Sequence, residues 1–192
     1  ASGGCVSAAS PDEIRVVDPA ARPRRRRFGV RVIVTDGSAV LLLIDSDPGI
    51  PGSRWYVTPG GGVDPGESAR DAAVRELAEE TGLCVLASEL NGPIAHRVAV
   101  HGYSDKISTQ DEEFFVLRTA RFTPDGSGHT AAERQKLLGH AWVSLEGLAG
   151  VGVPVWPVEL AAMLERWEAS GRVWELGEIE ESTVPVGRLR DA

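Results

Sequence analysis

The stretch GGGVDPGESARDAAVRELAEETGL, residues 60–83, decides how the rest of the chain is read, and it sets an electrostatic problem. From about Ser68 to Thr81 it is built of strong helix formers, and Gly82 stands where a C′ residue would stop a helix. Glu76, Glu79 and Glu80 fall at i, i+3 and i+4, so on a helix they project within an arc of about 100°. Ala73, Val74 and Leu77 lie on a neighbouring arc and can anchor that helix to a core. Like charges at this spacing cost roughly 0.2–0.5 kcal/mol per pair, and carboxylates in a last turn oppose the helix dipole by roughly 0.3–1 kcal/mol each. Arg75, placed four residues from both Asp71 and Glu79, offsets part of the cost and leaves a surplus of negative charge.

Three glutamates alone would read as a solvated acidic face. The preceding Pro59-Gly60-Gly61-Gly62 changes the reading. Glycines permit backbone conformations and close approaches that a Cβ forbids, so a carbonyl can turn inward beside the helix. A set of donors made only of oxygen suits Mg²⁺ or Mn²⁺, and through such ions a phosphate-bearing substrate.

Composition narrows the classes. At 192 residues, 42% hydrophobic and 25% charged, the chain fits one globular domain with extensions. A net charge of −8 argues against binding of a nucleic-acid polymer, which needs clustered Lys and Arg; a small anionic, nucleotide-type substrate is compatible with it if a cation reverses the local field. Cys5 and Cys84 are far apart and match neither a disulfide framework nor a zinc site, so a cytoplasmic location is expected. No apolar run approaches the roughly 18 residues of a membrane span.

Along the chain, residues 1–27 read as an N-terminal extension expected to be mobile, residues 28–172 as the domain, and 173–192 as a C-terminal tail. The basic run Arg24–Arg27 is either a solvated lead-in or a phosphate-contacting edge. FGVRVIVTDG (28–37) and AVLLLIDSD (39–47) suggest a hairpin turning at Asp36-Gly37. WYVT (55–58), CVLASEL (84–90), PIAHRVAVHG (93–102), EEFFVLRTARF (112–122) and HAWVSL (140–145), the last strand, complete the expected set, with the polar stretch 102–111 as a loop. A second helix is expected near 158–170, with apolar residues at 160, 163, 164 and 167. Mixed strands with helices at two places predict an α/β/α sandwich.

The box also matches a known pattern. Gly61, Glu67, Arg75, Glu76, Leu77, Glu79, Glu80, Gly82 and Leu83 fill all nine specified places of the Nudix signature over residues 61–83, and the chain is similar to MutT-like Nudix hydrolases, less strictly, over about 28–150. The resemblance implies an α/β/α sandwich with a mixed β-sheet, and metal-dependent hydrolysis of a nucleoside diphosphate linked to another moiety, by water attack at phosphorus. It implies Mg²⁺, or Mn²⁺, held by the Gly60 carbonyl, Glu76 and Glu80, with Glu79 binding directly or through water; Glu76, Glu79 and Glu80 are the implied catalytic residues. Gly61, Glu67 and Arg75 take supporting roles. In some relatives the general base comes from a later loop, and Glu112, Glu113 and Glu133 are the candidates for it here.

Two other readings stay open at this stage. One is an isopentenyl-diphosphate-isomerase-like enzyme, for which no Cys–Glu pair can be identified; the other is a non-catalytic nucleotide-binding module, whose relatives usually lose box residues. Patterns associated with ADP-ribose, diadenosine polyphosphate and coenzyme A substrates are absent: Val98 stands where the first would have Pro, Val100 and His101 where the second would have Tyr, with Tyr103 a near miss. The four histidines show no ligand spacing, Cys84 reads as packing within a strand, and Trp55 as core. The sequence leaves a homodimer open.

Overall fold

Asp36 makes the turn that joins the first two described strands. In the computed structural model, which describes residues 17–18 and 21–186, its Oδ1 accepts the N–H groups of Ser38 and Ala39 at 2.8 Å each, and Gly37 takes a φ of 98°. A residue with a Cβ rarely adopts that conformation. The turn joins β1 (Arg24–Thr35) to β2 (Ala39–Asp45) antiparallel, as the hairpin reading expects. Cys5 and most of the residues read as an N-terminal extension, together with 187–192, lie outside the described residues.

The sheet continues through β3 (Trp55–Val57), β4 (Asn91–Gly102), β5 (Ile107–Arg118), β6 (Gly139–Ser144), β7 (Val155–Trp156) and β8 (Trp174–Glu180). Its strand order is β7-β3-β2-β1-β5-β4-β8, with β6 paired to the other side of β2. β1 is central and runs parallel to β5 over twelve residue pairs, from Arg24–Ile107 to Thr35–Arg118. β2 stays with β1 only for the pairs Val34–Leu41 and Thr35–Val40, then pairs with β3. The edge of β1 thereby freed is taken by the glycine loop: Val32 N–H donates to Pro59 O at 2.8 Å and Val30 N–H to Gly61 O at 2.9 Å.

Alternation along the strands makes two cores. Val30, Val32 and Val34 of β1, with Phe115 and Leu117 of β5, pack against Ala72, Ala73 and Leu77 of α1 (Ala69–Thr81). Ile33, Leu42, Phe114 and Val116 point the other way, onto Leu160, Met163 and Leu164 of α3 (Leu160–Ser170). A strand buried on both faces carries apolar residues at successive positions, and this is what VIV (32–34) and VLLL (40–43) show. The result is the expected α/β/α layering, with a short α2 (Ala131–Lys136) between β5 and β6. Among the described residues no helix is long and apolar enough to cross a membrane.

Five local expectations need correction. CVLASEL is not a strand: Leu86 is 69% exposed and Ala87–Glu89 form a single 3-10 turn. The cause is Arg70 of α1, whose guanidinium donates to the carbonyls of Ala87, Leu90 and Gly92 and so occupies acceptors a sheet partner would need. Cys84 is accordingly exposed, not packed. β5 begins at Ile107 inside the stretch read as a loop, and HAWVSL is not the last strand, since β7 and β8 follow and β8 pairs parallel to β4. β1 starts at Arg24, so the basic run is part of the sheet.

Candidate active site

α1 is fixed at both ends by the chemistry of its own sequence. Ser68 caps the start, its Oγ accepting the Asp71 N–H at 3.1 Å. Gly82 ends the helix at φ 71°, donating its N–H to Ala78 O at 3.0 Å. Asp71 receives the Ser68 hydroxyl, so Arg75 is left for other partners. The Arg75 guanidinium meets Glu67 through two hydrogen bonds at 3.0 and 2.9 Å, Glu76 at 2.9 Å, Glu79 at 3.2 Å and the Gly62 carbonyl at 2.8 Å. Glu67 precedes the helix and also accepts the Asp64 N–H, so it ties loop to helix as a support.

Glu76 and Glu80 are buried and Glu79 is not: the relative exposures of Glu76 and Glu80 are 6% and 8%, against 43% for the Glu79 side chain. Glu133, on the first turn of α2, meets the two buried carboxylates, and one oxygen from each of the three lies within 4.8 Å of the others. Glu133 is held there by Thr130, whose N–H and Oγ donate to its carboxylate at 2.7 and 2.8 Å. Burial pushes the Glu80 carboxyl up to about 8, with Glu76 and Glu133 adding to the rise against the Gly60 N–H and Arg31. Burial likewise raises Glu76, against the pull of Arg75.

The glycine loop is fitted to this cluster. Gly60 has φ 140° and donates its N–H to Glu80 Oε2 at 2.7 Å. A Cβ on Gly61 would lie 2.4–2.6 Å from the Glu76 carboxylate, a space only hydrogen can share.

These groups form one wall of a cavity of about 370 Å³. The same cavity has a cationic part to its lining. Arg25 and Arg27 reach it from β1, Lys106 from the β4–β5 turn and Lys136 from α2. Tyr103 lies beside both ammonium groups, 5.8 Å from Lys106 Nζ and 5.4 Å from Lys136 Nζ by ring centroid. Arg26 instead pairs with Asp111 at 2.7 Å.

Of the three outer candidates, the structure brings only Glu133 to the cluster. Glu112 is buried behind the cavity between Arg31 and Arg97. Burial alone would raise its carboxyl, but the two guanidinium groups outweigh it and hold it at about 2. Glu113 lies outside the cavity, 3.7 Å from His96 Nε2. Sequence reasoning missed Arg31, Lys106 and Lys136, and named Tyr103 only as a near miss to a substrate pattern. The only signal for Arg31 was a charge in the middle of an apolar strand.

The NUDIX domain model matches residues 24–166. The chain belongs to the Nudix family. It is 34% identical over 116 residues to a putative 8-oxo-dGTP diphosphatase of Bacillus subtilis, covering 60% of this chain and 65% of that protein. An uncharacterized Nudix hydrolase of the same organism, YvcI, is 39% identical over 61 residues, 32% of this chain and 35% of the relative. The chain thus spans less than two thirds of the length of either. Among solved structures, a mutator MutT protein from Bacillus halodurans shares the Nudix fold, with a TM-score of 0.54 at 22% identity over 82% of this chain and 91% of that one.

Proposed function

We propose that this Nudix protein is a divalent-metal-dependent pyrophosphohydrolase, acting on a nucleoside diphosphate linked to another moiety by water attack at phosphorus. The observation that carries the reading is the meeting of Glu76, Glu80 and Glu133 beside the glycine loop, in a cavity also lined by Arg25, Arg27, Lys106 and Lys136.

The residues fit Mg²⁺ or Mn²⁺. The donors are all oxygen, and burial with mutual repulsion raises carboxyls that a divalent cation would hold ionised. Gly61 keeps clear the space beside the Glu76 carboxylate. Glu76, Glu80 and the Gly60 carbonyl would hold the ion, with Glu79 joining directly or through water. When bound, it neutralises diphosphate oxygens and lowers the pKa of water.

The protein's own groups do the rest. Arg75 keeps Glu76 and Glu79 aimed, while Glu67 and the Gly62 carbonyl fix Arg75. Arg25, Arg27, Lys106 and Lys136 bind phosphate oxygens and align the chain for in-line attack. Glu133 is the candidate to take the proton of the attacking water at a carboxylate oxygen. Glu112, held ionised but engaged on both oxygens, is not free to do so. The similarity to a putative 8-oxo-dGTP diphosphatase supports a nucleotide as substrate.

The test is a screen of nucleoside triphosphates, oxidised nucleotides, nucleotide sugars, ADP-ribose and dinucleoside polyphosphates with Mg²⁺ or Mn²⁺, following phosphate or nucleotide release. Turnover that stops on chelation is expected. Binding of a phosphate ligand without metal and without turnover would mark a binding module instead.

A further inference from the structure

Behind the cavity, four charges run in alternating order from its wall to the C-terminal segment. Arg31 Nε donates to Glu112 Oε1 at 2.9 Å, and Arg97 Nε donates to Glu112 Oε2 at 2.8 Å. Arg97 Nη1 and Nη2 donate to the two oxygens of Glu181 at 2.7 and 2.8 Å. The three inner side chains are all but sealed from solvent, and Arg31 opens onto the cavity. At that end Arg31 Nη1 donates to the carbonyls of Thr58 at 3.3 Å and Gly60 at 3.4 Å. Glu181 follows directly on β8, its N–H donating to Val100 O at 2.9 Å, and lies beyond the residues matched by the NUDIX domain model.

We propose that Glu181, acting through Arg97 and Glu112, is a positioning residue that holds Arg31 and the Thr58–Gly60 carbonyls in the arrangement that binds metal. The C-terminal segment is then a working part of the site; this rests on the reading of the site as metal-dependent.

The argument is one of charge balance. Two guanidinium groups and two carboxylates close the chain at zero, with every charge paired on both sides that face protein. Without Glu181, one carboxylate serves two buried cations and a net positive charge is left in a medium that solvates it poorly. Arg97 is enclosed and, among the described residues, pairs with no anion besides Glu112 and Glu181, so Glu112 is drawn toward it. Arg31 has an exit: it borders the cavity where Glu76 and Glu80 stand, and Glu80 already feels its charge. Turning that way, it would release the Thr58 and Gly60 carbonyls and set a cation against the carboxylates that are to receive Mg²⁺. A segment that merely closed the edge of the sheet would have no such effect.

The test uses the full chain and Mn²⁺ alone as probe, with free ion counted by electron paramagnetic resonance. In E181Q, Mn²⁺ affinity is expected to fall about tenfold, and the Mg²⁺ needed for half-maximal turnover to rise similarly, with kcat at saturating metal within about threefold of the parent. The double variant R97M/E181Q leaves Arg31 and Glu112 one to one and is expected to recover Mn²⁺ affinity to within about threefold. T183V removes the hydrogen bond from Thr183 Oγ1 to Asp47 Oδ2 and loosens the same segment without touching any of the four charges from Arg31 to Glu181. It is expected to lower Tm only.

Parent-like Mn²⁺ affinity in E181Q, a double variant weaker than E181Q, or a T183V variant as weak as E181Q would each overturn the proposal. Should E181Q fail to fold, R97K keeps the charge but cannot bridge two carboxylates; it is expected to show the same loss, and parent-like affinity in it overturns the proposal. Mn²⁺ binding that weakens in E181Q in a protein that turns over no diphosphate supports the positioning role while sinking the hydrolase reading. Failure of the parent chain to bind Mn²⁺ sinks both.

Discussion

Replacing Gly61 by alanine tests the site at its tightest point. The added Cβ would lie 2.4 Å from Glu76 Oε1, against an ordinary contact of about 3.4 Å, so the carboxylate must retreat by about 1 Å. The backbone does not resist the change, because Gly61 is absent from the glycines with positive φ. Nor does the core resist it, since what yields is the end of a side chain. Glu76 is pinned by Arg75 at 2.9 Å and by its neighbours in the cluster, so its movement is spent inside the site. A misplacement of about 1 Å is worth on the order of 10²-fold in rate, or about 2.7 kcal/mol. G61A is therefore expected to keep its Tm to within a few degrees and to lose about 10²-fold in kcat/KM at saturating Mg²⁺. G60A is the contrast: there φ is 140° and the Cβ would lie 2.1 Å from the Val30 carbonyl, so it should lose stability, by about 1–3 kcal/mol or more. Thermal melts and steady-state kinetics on the substrate found in the screen decide the matter. G61A with parent-like turnover and an unchanged melt would refute the placement of Glu76 in the reacting site.

Glu79→Gln and Glu80→Gln should each cut turnover by orders of magnitude while the protein stays folded, as read by circular dichroism; unchanged rates in both would end the metal-carboxylate mechanism. Arg75→Lys cannot serve Glu67, Glu76, Glu79 and Gly62 together, and a loss of about 10- to 100-fold in activity or Mn²⁺ affinity is expected. Glu112→Gln leaves Arg31 and Arg97 short of a counter-charge and should cost about 3–5 kcal/mol at pH 7 in denaturant titrations. Because the folded-state carboxyl is depressed to about 2 from an ordinary 4.5, its stabilisation is full above pH 4.5 and fades as pH falls toward 2. The gap between parent and E112Q melts should therefore narrow across that window, and a gap that widened would contradict the pairing.

The reacting half of the site was legible because helix spacing is rigid. Glu76, Glu79 and Glu80 could only share a face, and three glycines before a helix could only mean a close approach. The cationic lining was legible only in part: the run Arg24–Arg27 offered a phosphate-contacting edge, but the strand that carries it was hidden. Arg25 and Arg27 on β1 stand beside Ser108 and Gln110 on β5, and these polar side chains erase the apolar alternation by which a strand is recognised. Both strands were consequently read as starting late, at residues 28 and 112. β8 escaped for a related reason: it is an edge strand, WELGEIE, whose register shifts against β4 near Gly177 at φ 77°. Glu133 could be named as a candidate but not placed, since the six residues of α2 carry no periodicity to aim it. The Arg70 contacts that dissolve the expected strand at 84–90 are long-range and leave no mark in the sequence.

The division of β1 has a consequence for change over time. Val30, Val32, Ile33 and Val34 are locked between two cores, whereas Arg25 and Arg27 owe their place chiefly to backbone pairing with β5, Arg27 adding one hydrogen bond to Gln110 Oε1 at 3.1 Å. A single strand thus carries a part that tolerates almost nothing and a part that can be rewritten freely. New specificities can arise at the exposed positions 25 and 27 with little penalty to folding, whereas their buried neighbours Ser108 and Gln110 are held by packing, and a library randomised at 25 and 27 should be rich in well-folded members with altered preference.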